Sequence, residues 1–175
     1  MSLWEDLKRF IAFGGEDAAT LVRLGPLFEA RGGALTDAFY ERLAGQPETA
    51  ALIAGRVDAL KATHAGWMAG LFAGEYGDDY YRDRARIGLA HVRAGIPPWW
   101  VEAVFAFLHS AAVDLLAEAI ADPAERCAAE RSLLKILDLD QMVINLAYGE
   151  ERLHRLCEFT GMSRKLLERC VAQRR

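Results

Sequence analysis

A chain of 175 residues suits one domain of ordinary size, able to bury a core without disulfides or a structural metal. Its formal net charge of −4, with 53% apolar and 26% charged residues, provides no excess of lysine and arginine for phosphate, so nucleic acid is not an expected partner. Cys127, Cys157 and Cys170 are odd in number and lack CxxC or zinc-type spacing; with no signal-like N-terminus and no run near ~20 uninterrupted apolar residues, the expectation is a reduced, cytoplasmic chain outside the membrane.

Apolar residues recur at intervals of three and four, which predicts an all-α fold. Residues 2–13 form a short amphipathic helix with Leu3, Trp4, Leu7, Phe10 and Ile11 on one face, closed by the reversal expected at Gly14-Gly15. A second helix starts near Glu16. Gly25-Pro26 punctuates it, and a longer helix through Leu27, Phe28, Leu35, Phe39, Tyr40 and Leu43 ends at Gly45, with a local bend expected at Gly32-Gly33. Pro47 opens a short helix to Ile53, and Gly55 separates it from a helix running from Val57 to just before Gly74.

Tyr76 to Arg93 reads as the next helix, stopped by Gly95 and Pro97-Pro98, and Trp99 to Ile120 as a long apolar one. Asp122-Pro123 caps the last, which carries Leu133, Leu134, Ile136, Leu137, Met142, Ile144 and Leu146 and runs to about Leu156. The basic end from Arg164 to Arg175 reads as a solvated amphipathic helix. Three segments result: a pre-globular helix at 1–14, the main domain at 15–156, and a helical tail or the start of a linker at 157–175.

No HExxH, GxSxG, Walker loop or GxGxxG is present, so hydrolase, nucleotidase and dehydrogenase chemistry lacks support and no enzyme activity is expected. Four histidines, His64, His91, His109 and His154, are the side chains suited to a transition metal. His91 stands apart, near a helix end beside Ile87 and Gly88 and followed at once by a glycine-proline corner.

The stretch from Arg86 to Trp100, RIGLAHVRAGIPPWW, resembles the proximal-histidine segment of the globin-coupled sensors, bacterial and archaeal haem sensors related to protoglobins. TDAFYERL from Thr36 is similar to that family's second globin helix, VDALKATH from Val57 to the start of its distal helix, and LDLDQMVINLAY from Leu137 to its last globin helix. The likeness spans roughly residues 16–156. It implies a 3-over-3 sensor globin fold with an extra N-terminal helix and a long C-terminal helix.

It also implies haem b, iron protoporphyrin IX, with His91 as proximal iron ligand and Tyr40 as distal hydrogen-bond donor. Thr63 matches a position whose hydroxyl can assist the tyrosine, and Leu60 stands as an apolar gate. His64 shares the face of Leu60 and Thr63 at helical spacing, which makes it a candidate sixth ligand and the haem a bis-histidyl one. Trp67, Met68, Ile87 and Val104 are expected haem contacts, and Trp100 occupies a place where relatives often carry tyrosine.

In that family the globin domain is an input module for a C-terminal effector such as a cyclase, kinase or chemotaxis transducer. The resemblance implies a sensor of oxygen, nitric oxide or carbon monoxide that dimerises through residues 99–121 and 124–156. Gas binding is then expected to release His64, reorient Tyr40 and shift the proximal helix against the dimer interface. Two alternatives stay open: a free-standing protoglobin-like gas-binding globin, and a haem-free helical interaction module.

Overall fold

The computed structural model describes residues 2–172, with the side chain of Val171 excepted. Gln173 to Arg175 of the expected basic tail lie outside the described residues. Among the described residues there are eight helices and no strand: α1 (Leu3–Phe10), α2 (Gly15–Ala44), α3 (Pro47–Ile53), α4 (Val57–Leu71), α5 (Asp78–Arg93), α6 (Pro98–Ala119), α7 (Pro123–Thr160) and α8 (Arg164–Ala172).

α1 is anchored by its one buried residue: Trp4 donates its indole N–H to the Tyr76 carbonyl at 2.8 Å and stacks on Tyr80. The reversal into α2 is made differently from the expectation at Gly14-Gly15. Ala12 takes the left-handed conformation (φ 54°), Gly14 is extended, and Gly15 already opens α2. Side chains hold this corner, since Lys135 donates to the Ala12 carbonyl and to Asp17, whose carboxylate also accepts from the Gly14 N–H. That fixed frame offsets the left-handed strain at a residue with a Cβ.

Gly25-Pro26 does not divide α2, which runs unbroken for 30 residues with Pro26 inside it. Proline removes one backbone donor and strains the preceding turn. Tertiary packing outweighs that cost here: Phe28 stacks on Phe72 with centroids 4.5 Å apart, and a Cβ at Gly25 would lie 3.5 Å from Phe72 Cβ. At Gly32 the helix lets Met68 Sδ of α4 approach so closely that an added Cβ would stand 2.6 Å from it.

α5 lies on α7 with equally little clearance. A Cβ at Gly88 would meet Ala147 Cβ at 2.7 Å and the Ile144 carbonyl oxygen at 3.0 Å, so glycine is what permits the contact one turn before His91. α5 then ends in a Schellman arrangement, with Ile96 N–H donating to the His91 carbonyl, Gly95 N–H donating to Val92, and Gly95 left-handed at φ 71°. Pro97 and Pro98 start α6 from that corner.

α6 buries Val101, Phe105, Leu108, Ala112, Leu115 and Leu116. By length and composition it is apolar enough to cross a membrane, a reading opposed by this core packing and by the absence of any other such helix among the described residues. α7 runs to Thr160, beyond the expected end near Leu156, and stops at left-handed Gly161. A separate helix, α8, follows, joined back to α7 by Arg164, which pairs with Glu150.

Candidate functional site

The principal cavity lies between α2, α3 and α4 on one side and α5 and α6 on the other, with a volume of about 200 Å³. Its walls are mostly apolar. α6 contributes Val101, Val104, Phe105 and Leu108 at helical spacing, and α3 contributes Leu52 and Ile53. Two histidines from different helices, His64 of α4 and His91 of α5, both line it.

His91 is held by its own helix. Its Nδ1 lies 2.8 Å from the Ile87 carbonyl oxygen, an atom that can only accept, so the ring proton sits on Nδ1 and donates to it. Nε2 is thereby left as a lone-pair donor, the state a metal-ligating imidazole requires. The Gly95 corner and the Gly88 contact fix the backbone on either side of it.

His64 lies among aromatic rings. Phe39 and Trp67 lie against it with centroids 5.0 and 5.1 Å away, and Tyr40 meets it edge-on at 6.2 Å. Its Nδ1 is 3.0 Å from Thr36 Oγ1, whereas Nε2 is buried and has no hydrogen-bond partner. Burial pushes this imidazole down to about 4, so it is neutral at physiological pH. A buried polar atom without a partner is costly, and a ligand or metal in the cavity would supply one.

Tyr40 is buried and lines the same cavity. Burial raises its pKa, which keeps the phenol protonated and able to donate. Leu60, Thr63, Trp67, Ile87, Trp100 and Val104 also line the cavity. Thr63, however, spends its hydroxyl proton on the Ala59 carbonyl of its own helix at 3.0 Å. Met68 does not line it. It is one position round α4 from Trp67, on the core side, packed against Gly32 and beside Phe28, Leu35 and Leu71.

The other two histidines stay away from the cavity lining. His109 Nε2 approaches Asp138 Oδ1 at 3.4 Å between α6 and α7 without the geometry of a hydrogen bond, and His154 faces Glu158 on its own helix.

Sequence reasoning missed the polar support behind the cavity. Asp140 of α7 is fully buried and accepts from Trp67 Nε1 at 2.7 Å, from Tyr80 Oη at 2.6 Å and from Arg84 Nε at 2.8 Å. Burial raises the Asp140 pKa, against the opposing pull of the Arg84 charge. Gly70 leaves room for that guanidinium, since a Cβ there would lie 2.8 Å from Arg84 Nη2. Tyr148 Oη donates to the Ile96 carbonyl at 2.7 Å, tying α7 to the corner after His91. An aspartate and a tyrosine on the otherwise apolar stripe of a long helix were the available signals.

A helical fold that sets two imidazoles and a tyrosine around one apolar cavity has the architecture of the globin class. Residues 1–154 match the Protoglobin family model, and the chain belongs to that family. It is 33% identical over 161 residues to the heme-based aerotactic transducer HemAT of Halobacterium salinarum, covering 83% of this chain and 33% of the transducer. The chain thus spans about a third of that relative's length.

Two solved structures share its architecture. The globin domain of the Geobacter sulfurreducens globin-coupled sensor superposes with a TM-score of 0.81 at 33% identity, over 85% of this chain and 99% of that one. The ferric globin domain of E. coli DosC superposes with a TM-score of 0.70 at 17% identity, over 81% and 97% of the two chains, a likeness of fold.

Proposed function

We propose that this chain is a haem-binding gas-sensor globin domain whose iron would be held by His91 Nε2, with His64 Nε2 as a competing ligand. The observation that carries the reading is the pair of imidazoles on facing helices of one apolar cavity, one locked as a lone-pair donor and the other presenting a buried nitrogen with no partner. When bound, the haem iron supplies a coordination position to which a diatomic gas such as oxygen, nitric oxide or carbon monoxide attaches.

The residues of this chain do the remaining work. His91 orients the iron from the proximal side. The apolar walls from α3 and α6 keep water and charge away, and Leu60 narrows the distal approach. Tyr40 supplies a hydroxyl proton to the partly negative outer atom of a polar guest, which favours oxygen over carbon monoxide. Trp100 presents an indole where a phenol is common in the family, so any signal here takes a route other than a phenolic hydrogen bond.

The globin-coupled relatives support a sensing role that ends in a separate effector, within a longer protein. A homodimer through residues 99–121 and 124–156 agrees with the exposed apolar residues Trp99, Met142 and Leu146. The test is haem uptake by the purified chain. A Soret band is expected in the native protein, with loss of haem or of proximal ligation in His91→Ala. A folded chain that takes up no haem would leave only a helical interaction module.

A further inference from the structure

The two cavity histidines differ in what holds Nδ1, and the difference has chemical content. The partner of His91 is a backbone carbonyl, which accepts and never donates, so that ring has one tautomer available. The partner of His64 is the Thr36 hydroxyl, which can do either. Thr36 is buried on α2, one turn before Tyr40, and makes no other side-chain hydrogen bond among the described residues. Its rotor is free to face His64 with its proton or with a lone pair.

We propose that Thr36 is the positioning residue that lets His64 exchange roles, accepting from Nδ1–H when Nε2 must present a lone pair to a metal, and donating to Nδ1 when Nε2 must carry the proton toward a polar guest. This inference rests on the haem reading above. The ring carries one proton in both states, on Nδ1 in the first and on Nε2 in the second, exchanged with bulk solvent through the cavity's open side. No net proton is gained or lost.

The geometry favours this role over a structural one. A threonine held only for packing inside a helix ordinarily returns its hydroxyl proton to the carbonyl four residues back, as Thr63 does to Ala59. Thr36 instead meets the ring across two helices. Without it, Nδ1 would face an apolar wall, and the tautomer with Nδ1 protonated would leave a buried donor unpaired. The tautomer that can ligate a metal, with its proton on Nδ1, would thereby lose the acceptor that stabilises it.

The experiment uses the haem-loaded full chain and compares Thr36→Val, Thr36→Ser and His64→Leu with the native protein. Ferric spin state is read by electron paramagnetic resonance and the optical spectrum, and the C–O stretch of added carbon monoxide reports the distal donor in the ferrous protein. Thr36→Val is expected to shift the balance of His64-bound and unbound iron toward the high-spin form by about five- to tenfold, the worth of one hydrogen bond. It is also expected to alter the C–O stretch, and Thr36→Ser to restore both signals.

If His64→Leu changes the ferric spectrum while Thr36→Val changes neither signal, the Thr36 assignment is overturned and His64 ligation stands. If His64→Leu also leaves the ferric spectrum unchanged, the His64 reading itself fails. Should Thr36→Val not fold, Thr36→Ala with the same two signals decides between these outcomes, again with serine as the restoring variant.

Discussion

The indole of Trp67 donates to Asp140 at 2.7 Å while its ring lies against His64, so a carboxylate on α7 bears directly on the distal wall of the cavity. The same carboxylate accepts from Arg84, two turns before His91 on α5. Helices α4, α5 and α7 therefore meet at one buried carboxylate.

Replacing Asp140 with asparagine leaves the Arg84 guanidinium buried beside a neutral group. The expected loss of stability is about 3–5 kcal/mol, measured by urea unfolding of native and variant proteins. A change below about 1 kcal/mol would show that water or relaxation already compensates the pair.

Tyr40→Phe removes a donor from the cavity with little change in volume. In haem-loaded protein, oxygen release is expected to quicken by about five- to thirtyfold, the equivalent of one to two kcal/mol, with carbon monoxide release changed far less. Stopped-flow displacement of each gas measures both. Equal acceleration for the two gases would assign the effect to altered cavity shape.

The haem-free chain should lose stability as pH falls. His64 is held at about 4 when folded against an ordinary value near 6.5, so between these values the unfolded chain binds more protons than the folded one. Stability is expected to be full above about pH 6.5 and to decline by roughly 3 kcal/mol on approaching pH 4. His64→Leu should flatten this part of the pH profile, and a variant profile parallel to the native one would assign the acid loss to other groups.

Gly88→Val forces a branched side chain into the α5 and α7 contact, where even a Cβ would come within 3.0 Å of the Ile144 carbonyl. A penalty of about 1–3 kcal/mol is expected, together with a disturbed proximal ligand spectrum, because His91 is one turn away. Thermal unfolding and the optical spectrum of the loaded protein test the two parts separately.

Leu146→Glu places a charge beside Met142 on an exposed part of α7. If this face joins two copies, light scattering should show a shift from dimer to monomer with the Soret spectrum retained. An unchanged mass would move the interface elsewhere.

Much of this arrangement was legible because helices impose a local rule. The glycine-proline corner after His91 and the spacing of Leu60, Thr63 and His64 follow from helical periodicity, and the structure places all four side chains on the cavity. Met68 shows where such reasoning fails: one position round the helix reverses the side a residue faces, and the apolar pattern of α4 serves both the cavity and the core. Pro26 carries a strong local signal for a break, overruled by contacts with α4 and the segment after it. The donors converging on Asp140 lie 56 to 73 residues away in the chain, so no local pattern announces their meeting.

The bond from Tyr148 to the Ile96 carbonyl sits well inside α7, whose helix continues to Thr160. At about 1.5 Å per residue, Thr160 stands roughly 18 Å beyond that point. Treated as a stiff rod pivoting there, α7 would turn a tilt of about 5° at the His91 corner into a displacement of about 1.6 Å at its far end. The corner that follows His91 is thus also the fulcrum of a lever.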